Sequence, residues 1–281
     1  MKYKNPELVG LTGSTGLLGN ALRKKITKDK NYKLNCFKGN ITKKNELKKW
    51  FKNNEFDSLI HLAALVPTYK VVANQQLAKN VNILGTRNII DEVNKKGSIK
   101  WFFFSSTAHV YEYQNKQVNE NSKKLPFSLY GKTKLSGEKI ILKNIKKDKK
   151  ICIARIFSLT SASQDTSFFL PSIIKKIKKS NKIEGNFNQY RDFIHLDDVV
   201  EAIISLLSKK KFGVYNIASG KKIEFEKLIK KICYYLKKKI VINNKIVKNQ
   251  KSLFGNISKI TKEIKWKPKK TIEYIIKDYL N

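Results

Sequence analysis

Short apolar runs alternate with longer amphipathic stretches along the first part of the chain. The apolar run ELVGL at 7–11 leads into the glycine-rich segment 13–19, and the amphipathic pattern ALRKKI follows at 21–26. Short apolar runs are typical of buried strands, whereas apolar positions that recur every three or four residues are typical of helices. This segment therefore predicts a strand, a tight turn and a helix.

The same alternation continues to about residue 157. Further apolar runs predict strands at 32–37, 57–64, 100–106 and 151–157. Amphipathic stretches between them predict helices at 44–53, from about Gln75 to Lys95 and from about Leu129 to Lys147. Strands that alternate with helices specify a Rossmann-type α/β fold with a doubly wound parallel sheet.

Beyond about residue 160 the pattern is less regular. Helices are predicted near 166–180, 197–208, 224–238 and 271–280, with short strands between them. The lysine-rich tract 237–251 predicts a surface strand and loop.

Composition indicates a globular protein. Of the 281 residues 41% are hydrophobic and 11% aromatic, which is enough to build a sizeable core. No apolar run is long enough to cross a membrane, and the N-terminus has no apolar signal core. Cys36, Cys152 and Cys233 have neither metal-ligand nor disulfide spacing. We therefore expect a cytoplasmic protein with three buried free thiols, no bound metal and no membrane span.

The formal net charge of +37 raises the possibility of nucleic-acid binding. Only four of the 59 basic residues are arginines, the side chains that make the commonest specific base contacts. The lysines are also spread over the whole chain. We therefore expect a solvated lysine surface that attracts small anionic substrates, and no specific nucleic-acid partner. Nonspecific binding of polyanions stays open as a minor alternative.

Three glycines lie between the first predicted strand and the first helix. Gly13 would permit a tight turn, Gly16 would let a pyrophosphate approach the backbone, and Gly19 would let the helix pack close to the sheet. Amide groups at a helix N-terminus favour anions. The segment predicts a dinucleotide site. Lys38 follows the second strand where a carboxylate would bind the ribose of NAD, so NADP is slightly favoured over NAD.

Hydride transfer at a carbinol carbon needs a partner that moves the hydroxyl proton. A tyrosine four residues before a lysine can be that partner. The spacing occurs three times, at Tyr130–Lys134, Tyr234–Lys238 and Tyr235–Lys239. In such a pair the ammonium shares a helix face with the phenol and favours the phenolate. Position selects the first pair, because it opens a helix after the strand that ends near Thr107, at the edge where open α/β sheets bind ligands. Tyr130 is then the predicted general acid/base, and Lys134 the residue that tunes it.

Eight segments in order resemble the NAD-dependent epimerase/dehydratase family of extended short-chain dehydrogenases/reductases. They are GSTGLLG (13–19), HLAA (61–64), NILGTRNI (82–89), SSTAHVY (105–111), YGKTKLSGE (130–138), RDFIHLDDVV (191–200), YNIAS (215–219) and WKP (266–268). Members of this family mostly act on nucleotide sugars. The resemblance covers nearly the whole chain.

The resemblance implies roles for individual residues. Thr107 would hydrogen-bond the reacting oxygen, Lys134 would also bind ribose, and Arg191 would bind the substrate diphosphate. Asn82 matches a residue that is mostly structural or water-positioning, and His61 is interpreted as a packed strand residue. Further cofactor contacts are implied for Thr15, Leu17, Asn40, Ile41, Leu62, Ala63, Ala64 and Asn82, and Tyr130 is also included among the cofactor contacts.

Departures from the family pattern narrow the activity. Relatives that dehydrate at C5–C6 carry Asp-Glu directly after the threonine, whereas Thr107 is followed by Ala108 and His109, so 4,6-dehydration is not expected. Ser158 replaces an asparagine in a segment that usually touches substrate, which leaves the sugar and the nucleotide open. A shortened loop at 39–42 is similar to 4-keto reductases, whereas GTRN and RDFIHLDD are similar to epimerases.

Together these observations predict an NAD- or NADP-dependent enzyme that acts at C4 of a nucleotide sugar, as a 4-epimerase or a 4-keto reductase. A non-catalytic dinucleotide sensor or scaffold on the same fold is the alternative. We expect residues 1–160 to form the cofactor-binding Rossmann domain and 161–281 a smaller substrate-binding part, with segments near 192–217 returning to the first domain. The resemblance also implies a homodimer.

Overall fold

The structure is a computed structural model that describes residues 5–66, 68–245 and 252–280. Contacts divide the described chain into two compact units. The first comprises residues within 1–110, 126–155 and 200–215, and the second comprises residues within 111–125, 156–199 and 216–281. The domain boundary predicted at residue 160 stays a prediction.

The elements follow in chain order. The strands are β1 (Glu7–Thr12), β2 (Tyr32–Cys36), β3 (Ser58–His61), β4 (Trp101–Thr107), β5 (Lys150–Ile156), β6 (Ser158–Thr160), β7 (Lys182–Gly185), β8 (Tyr190–Arg191), β9 (Phe193–His195), β10 (Gly213–Ile217), β11 (Ile223–Glu224) and β12 (Val241–Asn244). The helices are α1 (Leu17–Ile26), α2 (Lys44–Lys52), α3 (Thr68–Ala73), α4 (Gln75–Lys79), α5 (Thr86–Lys95), α6 (Leu129–Asn144), α7 (Phe169–Lys179), α8 (Leu196–Ser208), α9 (Phe225–Tyr235), α10 (Ser258–Ile264) and α11 (Ile272–Leu280).

A six-stranded sheet has the order β10-β5-β4-β3-β1-β2. β1 pairs in parallel with both β2 and β3, and β3 pairs in parallel with β4. The chain runs from β1 outward to β2 and then returns to β3 on the other side of β1. Such a reversal opens a crevice at the carboxyl ends of the strands, where ligands bind in this class of sheet. The predicted Rossmann-type fold is confirmed.

Apolar side chains of the helices cover the sheet in the first unit. All of β3 is buried, including its polar ends Ser58 and His61, as expected for a central parallel strand with apolar residues on both faces. The core packed on it includes Leu47 and Phe51 of α2 and Ile89 and Val93 of α5. Each such side chain contributes about 1.5–3 kcal/mol when it is fully buried.

The helix predicted from Gln75 to Lys95 is interrupted. α4 and α5 are joined by a π-helical turn, Asn80–Gly85, which contains Asn82. π-helical turns inside helices are frequent at functional sites. Apolar periodicity could not reveal the turn because the helical pattern continues through it.

The second unit has a core of its own. Apolar residues of α7, α9 and α11 form it, with β7 and β12 paired in parallel and β8 and β11 antiparallel. β12 lies in the lysine-rich tract, whose residues 246–251 lie outside the described residues. The pattern missed the short helices α3 and α10. Within the described residues, no helix has the length and apolar character that a membrane span requires.

The cysteines are free, as expected, but not all are buried. Cys152 is buried, whereas Cys36 and Cys233 are partly exposed. Cys36 ends β2, the outermost strand on its side of the sheet, and Cys233 lies near the C-terminal end of α9. Burial of all three thiols was therefore a wrong expectation.

Candidate functional site

The glycine-rich turn between β1 and α1 leaves open space at the start of the helix. Gly13 has φ +75°, and a Cβ on it would lie 2.6 Å from the Ala63 nitrogen, so only glycine fits. Gly16 caps α1 without such crowding, since a Cβ there would meet only the Gly13 carbonyl oxygen, at 3.6 Å. No side chain caps this end of α1, and its first turn holds no acidic residue. Thr15 is exposed and Leu17 is partly exposed beside it. The turn thus has room and backbone donors for an anion.

His61 is a structural residue at the end of β3. Its Nδ1 lies 2.7 Å from the Thr12 hydroxyl and its Nε2 lies 3.1 Å from the Thr86 hydroxyl. Burial, assisted by the charge of Lys134, lowers the pKa of His61 to about 3. The ring is therefore neutral at physiological pH and joins β1, β3 and α5.

The segment after β3 borders the same turn. Leu62, Ala63 and Ala64 are partly exposed, and the Leu62 amide donates to the Thr12 carbonyl oxygen over 3.2 Å. Asn82 is fully buried: its Oδ1 accepts from the Leu65 amide at 2.7 Å, and its Nδ2 donates to the Thr133 hydroxyl at 3.0 Å. Through these bonds Asn82 joins the segment after β3 to α6. Its predicted contact with a cofactor stays a prediction.

The loop after β2 holds three predicted cofactor residues. Lys38 and Asn40 are exposed, and the Asn40 amide donates to Glu46 Oε2 over 2.7 Å. The Ile41 side chain is buried in the core, so any cofactor contact by this residue would have to use its backbone.

Thr107, Tyr130 and Lys134 come together in the first unit. Thr107 ends β4, and its hydroxyl hydrogen-bonds Tyr130. Tyr130 lies in the first turn of α6, which begins where the Ser128 hydroxyl accepts from the Gly131 amide over 3.1 Å. Lys134 lies one turn later and is only 2% exposed, with its Nζ 4.1 Å from the centroid of the Phe104 ring. Within the described residues, Lys134 has neither an ion pair nor a hydrogen-bond acceptor.

Burial dominates the electrostatics of this group. It raises the pKa of Tyr130 to about 12, although the bond from Thr107 acts in the opposite direction. It also lowers the pKa of Lys134 to about 7, against the attraction of Glu138. We expected Lys134 to lower the pKa of Tyr130, but burial is the larger effect and has the opposite sign. At neutral pH Tyr130 is a neutral phenol, and Lys134 titrates.

The other two tyrosine–lysine pairs form no comparable group. Tyr234 is 78% exposed on α9, and the helix ends at Tyr235, before both lysines. Lys238 Nζ donates to the carbonyl oxygens of Ile177 and Lys178, at 2.8 and 3.1 Å. Position along the fold therefore separates Tyr130–Lys134 from the two pairs with the same spacing.

Arg191 and Ser158 lie in the second unit. The Nε of Arg191 is buried and has no hydrogen-bond partner among the described residues. The guanidinium carbon lies 6.0 Å from the Tyr113 ring centroid and 5.9 Å from that of Phe225, and burial lowers the pKa of Arg191. Ser158 is partly exposed, and its amide donates to the Asp192 carbonyl oxygen over 3.0 Å. A buried donor without an acceptor suits an anionic ligand.

Sequence reasoning missed two buried carboxylates next to these residues. Glu138 lies one turn after Lys134 on α6 and is 2% exposed. Asp192 follows Arg191 and accepts from Ser219, Gly220 and Gly255, while burial raises its pKa to about 6. The four-residue spacing from Tyr130 through Lys134 could have signalled Glu138. For Asp192 the available signal is its place in the family-like segment RDFIHLDDVV (191–200), whereas its hydrogen-bond partners are distant along the chain.

Comparisons with known proteins give a consistent picture. Residues 4–279 match the model of a protein family described as GDP-mannose 4,6 dehydratase. The chain is 25% identical to a GDP-6-deoxy-D-mannose reductase of Pseudomonas aeruginosa over 80% of this chain and 79% of the relative. It is 27% identical to UDP-glucose 4-epimerase 4 of Oryza sativa subsp. japonica over 90% of this chain and 76% of the relative.

The fold is also shared with solved structures. RMD from Pseudomonas aeruginosa complexed with NADPH has a TM-score of 0.87 and 23% identity, with 98% of both chains covered. MoeE5 in complex with UDP-glucose and NAD has a TM-score of 0.83 and 18% identity, with 97% of both chains covered. At these identities the likeness concerns the fold.

Proposed function

The chain belongs to the extended short-chain dehydrogenase/reductase family described as GDP-mannose 4,6 dehydratase, and from this premise we propose that it is an NAD(P)-dependent enzyme acting at C4 of a nucleotide sugar, as a 4-epimerase or a 4-keto reductase. The observation that carries the proposal is the group Thr107, Tyr130 and Lys134, at the end of β4 and the start of α6. The relatives include reductases and 4-epimerases, which supports the same chemistry.

A dinucleotide fits the residues of the first unit. The open space at Gly16 and the uncapped start of α1 suit a pyrophosphate. Lys134 is 2% exposed and its ammonium has no acceptor in the described residues, and ribose hydroxyls would supply acceptors. When bound, NAD(P) supplies the hydride acceptor or donor for the C4 carbon of the sugar.

Tyr130 moves the proton at the C4 oxygen. With a pKa of about 12 its phenol is protonated at neutral pH, and it can donate to a carbonyl oxygen at C4. To accept a proton from a C4 hydroxyl, Tyr130 needs a lower pKa. A positive charge next to its phenol would lower that pKa. Thr107, bonded to Tyr130, would orient the same oxygen.

Arg191 would hold the diphosphate of the substrate. Its planar guanidinium can donate two parallel hydrogen bonds to phosphate oxygens. The unpartnered Nε supports this role because a bound anion would satisfy it.

We further propose that the chain does not catalyse 4,6-dehydration, although the family description and some relatives are those of dehydratases. That reaction removes a proton and a hydroxyl group in addition to transferring hydride. Thr107 is followed by Ala108 and His109, and neither is a carboxylic acid.

The test is to incubate the purified protein with GDP-, UDP- and dTDP-linked sugars and their 4-keto forms while following the absorbance of NADPH and NADH. Cofactor consumed in proportion to product identifies a reductase, and product without consumption identifies an epimerase. Tight dinucleotide binding without turnover of any sugar would support the sensor alternative and contradict the catalytic proposal.

Lys38 tests the cofactor preference. If it binds the 2′-phosphate of NADP, Lys38→Asp weakens NADPH binding about tenfold and strengthens NADH binding, because the new carboxylate can accept from the ribose hydroxyls of NADH. Lys33→Asp, at an exposed lysine within β2, is the matched control for the loss of positive charge. Equal losses for both cofactors, or equal effects of both variants, would contradict NADP selection by Lys38. Homodimer formation and a cytoplasmic location stay predictions.

A further inference from the structure

We propose that Glu138 is a positioning residue of the group Thr107, Tyr130 and Lys134, which holds α6 against β4 and β5 and places a negative charge on the face of α6 that carries Lys134. The inference rests on the proposed function only where it concerns turnover. The structural and electrostatic part stands on contacts within the first unit.

Glu138 is the centre of a buried polar network. Its Oε1 accepts from the Ser106 hydroxyl at 2.5 Å and from Arg155 Nε at 3.0 Å, and its Oε2 accepts from Arg155 Nη2 at 2.7 Å. Arg155 is 3% exposed and lies in β5, and Ser106 is 2% exposed and lies in β4. One carboxylate thus connects the middle of α6 to two strands of the sheet.

The connection bears directly on the site. Ser106 immediately precedes Thr107, which bonds Tyr130. Tyr130, Lys134 and Glu138 succeed one another at intervals of four residues, so they lie along one face of α6. Glu138 therefore ties the helix that carries the phenol and the ammonium to the strand that carries the hydroxyl. A displacement of either element would change the Thr107–Tyr130 bond.

Charge provides the second part of the argument. Burial favours the neutral amine of Lys134, and Glu138 is the group that opposes this effect. Glu138 on α6 and His61 on β3 interact with the Lys134 ammonium, Tyr130 lies one helical turn before it on α6, and Arg155 on β5 is paired with Glu138. His61 and Tyr130 are neutral at pH 7. The carboxylate is thus the negative charge that favours the ammonium.

Stability alone does not explain this network. A buried ion pair contributes little to stability compared with apolar residues of the same volume, because both ions must be desolvated. An apolar pair on α6 and β5 would hold the helix equally well. It would, however, leave Lys134 without a nearby negative charge.

The experiment measures the titration of Lys134 directly. Trace labelling with acetic anhydride modifies only the neutral amine, and mass spectrometry of the peptide that contains Lys134 gives its midpoint as a function of pH, without cofactor or substrate. The variants are Glu138→Gln, which removes the charge, and Glu138→Asp, which keeps it on a shorter side chain. The control is Glu92→Gln, because Glu92 is also a largely buried acid, paired with Lys95 on α5.

In Glu138→Gln we expect the midpoint of Lys134 to fall by about one pH unit, a tenfold change in the protonation equilibrium. Glu138→Asp stays within about 0.3 unit of the parent, but its kcat falls about tenfold because the network is distorted. Glu92→Gln changes neither quantity.

If Glu138→Gln does not fold, the double variant Glu138→Gln/Arg155→Met removes both buried charges, and its midpoint is also expected below the parent value. An unchanged midpoint in the variant that folds overturns the proposal.

Turnover then separates this inference from the proposed function. The alkaline limb of the kcat–pH profile is expected to move to lower pH in Glu138→Gln in parallel with the labelling midpoint. A moved midpoint in a protein that turns over no nucleotide sugar would contradict the proposed function and leave the electrostatic role of Glu138 intact. Active protein with an unchanged Lys134 midpoint and an unchanged alkaline limb would contradict the role of Glu138 and leave the proposed function intact.

Discussion

Helices α6 and α9 both carry a tyrosine four residues before a lysine, and their surroundings are opposite. On α6 the Lys134 side chain is 2% exposed and its ammonium lies over an aromatic ring. On α9 Tyr234 is 78% exposed, and Lys238, beyond the end of the helix, donates to two carbonyl oxygens at the end of α7. The same sequence spacing thus produces a buried pair in one region and a helix-end contact in the other.

The difference shows what turns spacing into chemistry. Lys238 is satisfied by the protein, since its two acceptors lie at the C-terminus of a helix, where cations are favoured. Lys134 is desolvated and has no acceptor in the described residues, which lowers its pKa to about 7. Desolvation of an ammonium destabilises the fold, and a ligand that supplies an acceptor would offset this cost.

The largest contrast is expected from removing the phenol hydroxyls. Tyr130→Phe should lower kcat about 10³-fold because the proton at the C4 oxygen loses its donor and acceptor. Tyr234→Phe, the matched change on α9, should leave kcat within about twofold. Steady-state kinetics with the sugar identified in the substrate panel measures both. Undiminished turnover by Tyr130→Phe would remove the catalytic assignment.

Replacing the lysines should change stability in opposite directions. Lys134→Met removes a desolvated ammonium and should raise the free energy of unfolding at pH 7 by about 1–3 kcal/mol, while kcat/KM falls about 10²-fold. Lys238→Met removes two hydrogen bonds to carbonyl oxygens and should lower the free energy of unfolding by about 1 kcal/mol without affecting kcat/KM.

Urea unfolding at pH 7 gives both stability values. The effect of Lys134→Met should shrink as the pH rises from about 7 toward 10.5, because the parent lysine then loses its charge in the folded state. A loss of stability in Lys134→Met would mean that the ammonium is satisfied within the protein, and it would remove the contrast between the helices.

The fold was predictable because its signals are local. Five of the six strands of the sheet, β1 to β5, and the helix α6 were placed within a few residues by apolar periodicity alone, and the glycines at 13 and 16 marked the first turn. The π-helical turn at Asn80–Gly85 was not predictable, since the helical pattern runs through it. Periodicity reports which face of an element is buried, and it does not report the hydrogen bonding of a single turn.

The site was predictable only in part. Position in the fold selected Tyr130–Lys134 from three equivalent spacings, but the sign of the Tyr130 pKa shift was missed. The shift depends on how much surrounding protein excludes water, which arises from elements distant in sequence. The same reason hid Arg155, whose pairing with Glu138 joins β5 to α6.

A smaller effect is expected at the threonines that bond tyrosines. Thr107→Val removes the bond to Tyr130 and should lower kcat about tenfold, and Thr107→Ser should restore most of it. The second unit offers a matched pair, because the Thr160 hydroxyl lies 2.7 Å from the Tyr279 hydroxyl and burial raises the pKa of Tyr279 to about 12. Thr160→Val should therefore leave kcat unchanged. Similar kcat losses in both valine variants would show that the effect comes from general destabilisation, which unfolding curves would reveal.

The smallest expected effect is on the pKa of His61, which the nearby charge of Lys134 lowers. The chain has three histidines, so their ring protons can be followed by NMR as the pH is lowered. One resonance should remain unprotonated until about pH 3, or until the protein unfolds, because burial and Lys134 both lower the pKa of His61. In Lys134→Met that pKa should rise by less than one unit toward 6.5, whereas Lys238→Met should not move it. Since the unfolded chain protonates its histidines near pH 6.5, the parent protein should lose stability on acidification below that value, by at most about 1.4 kcal/mol per pH unit from this group. An identical His61 resonance in the parent and in Lys134→Met would place the ammonium too far from β3 for the two to interact, and the surroundings of Lys134 would then be closer to those of Lys238.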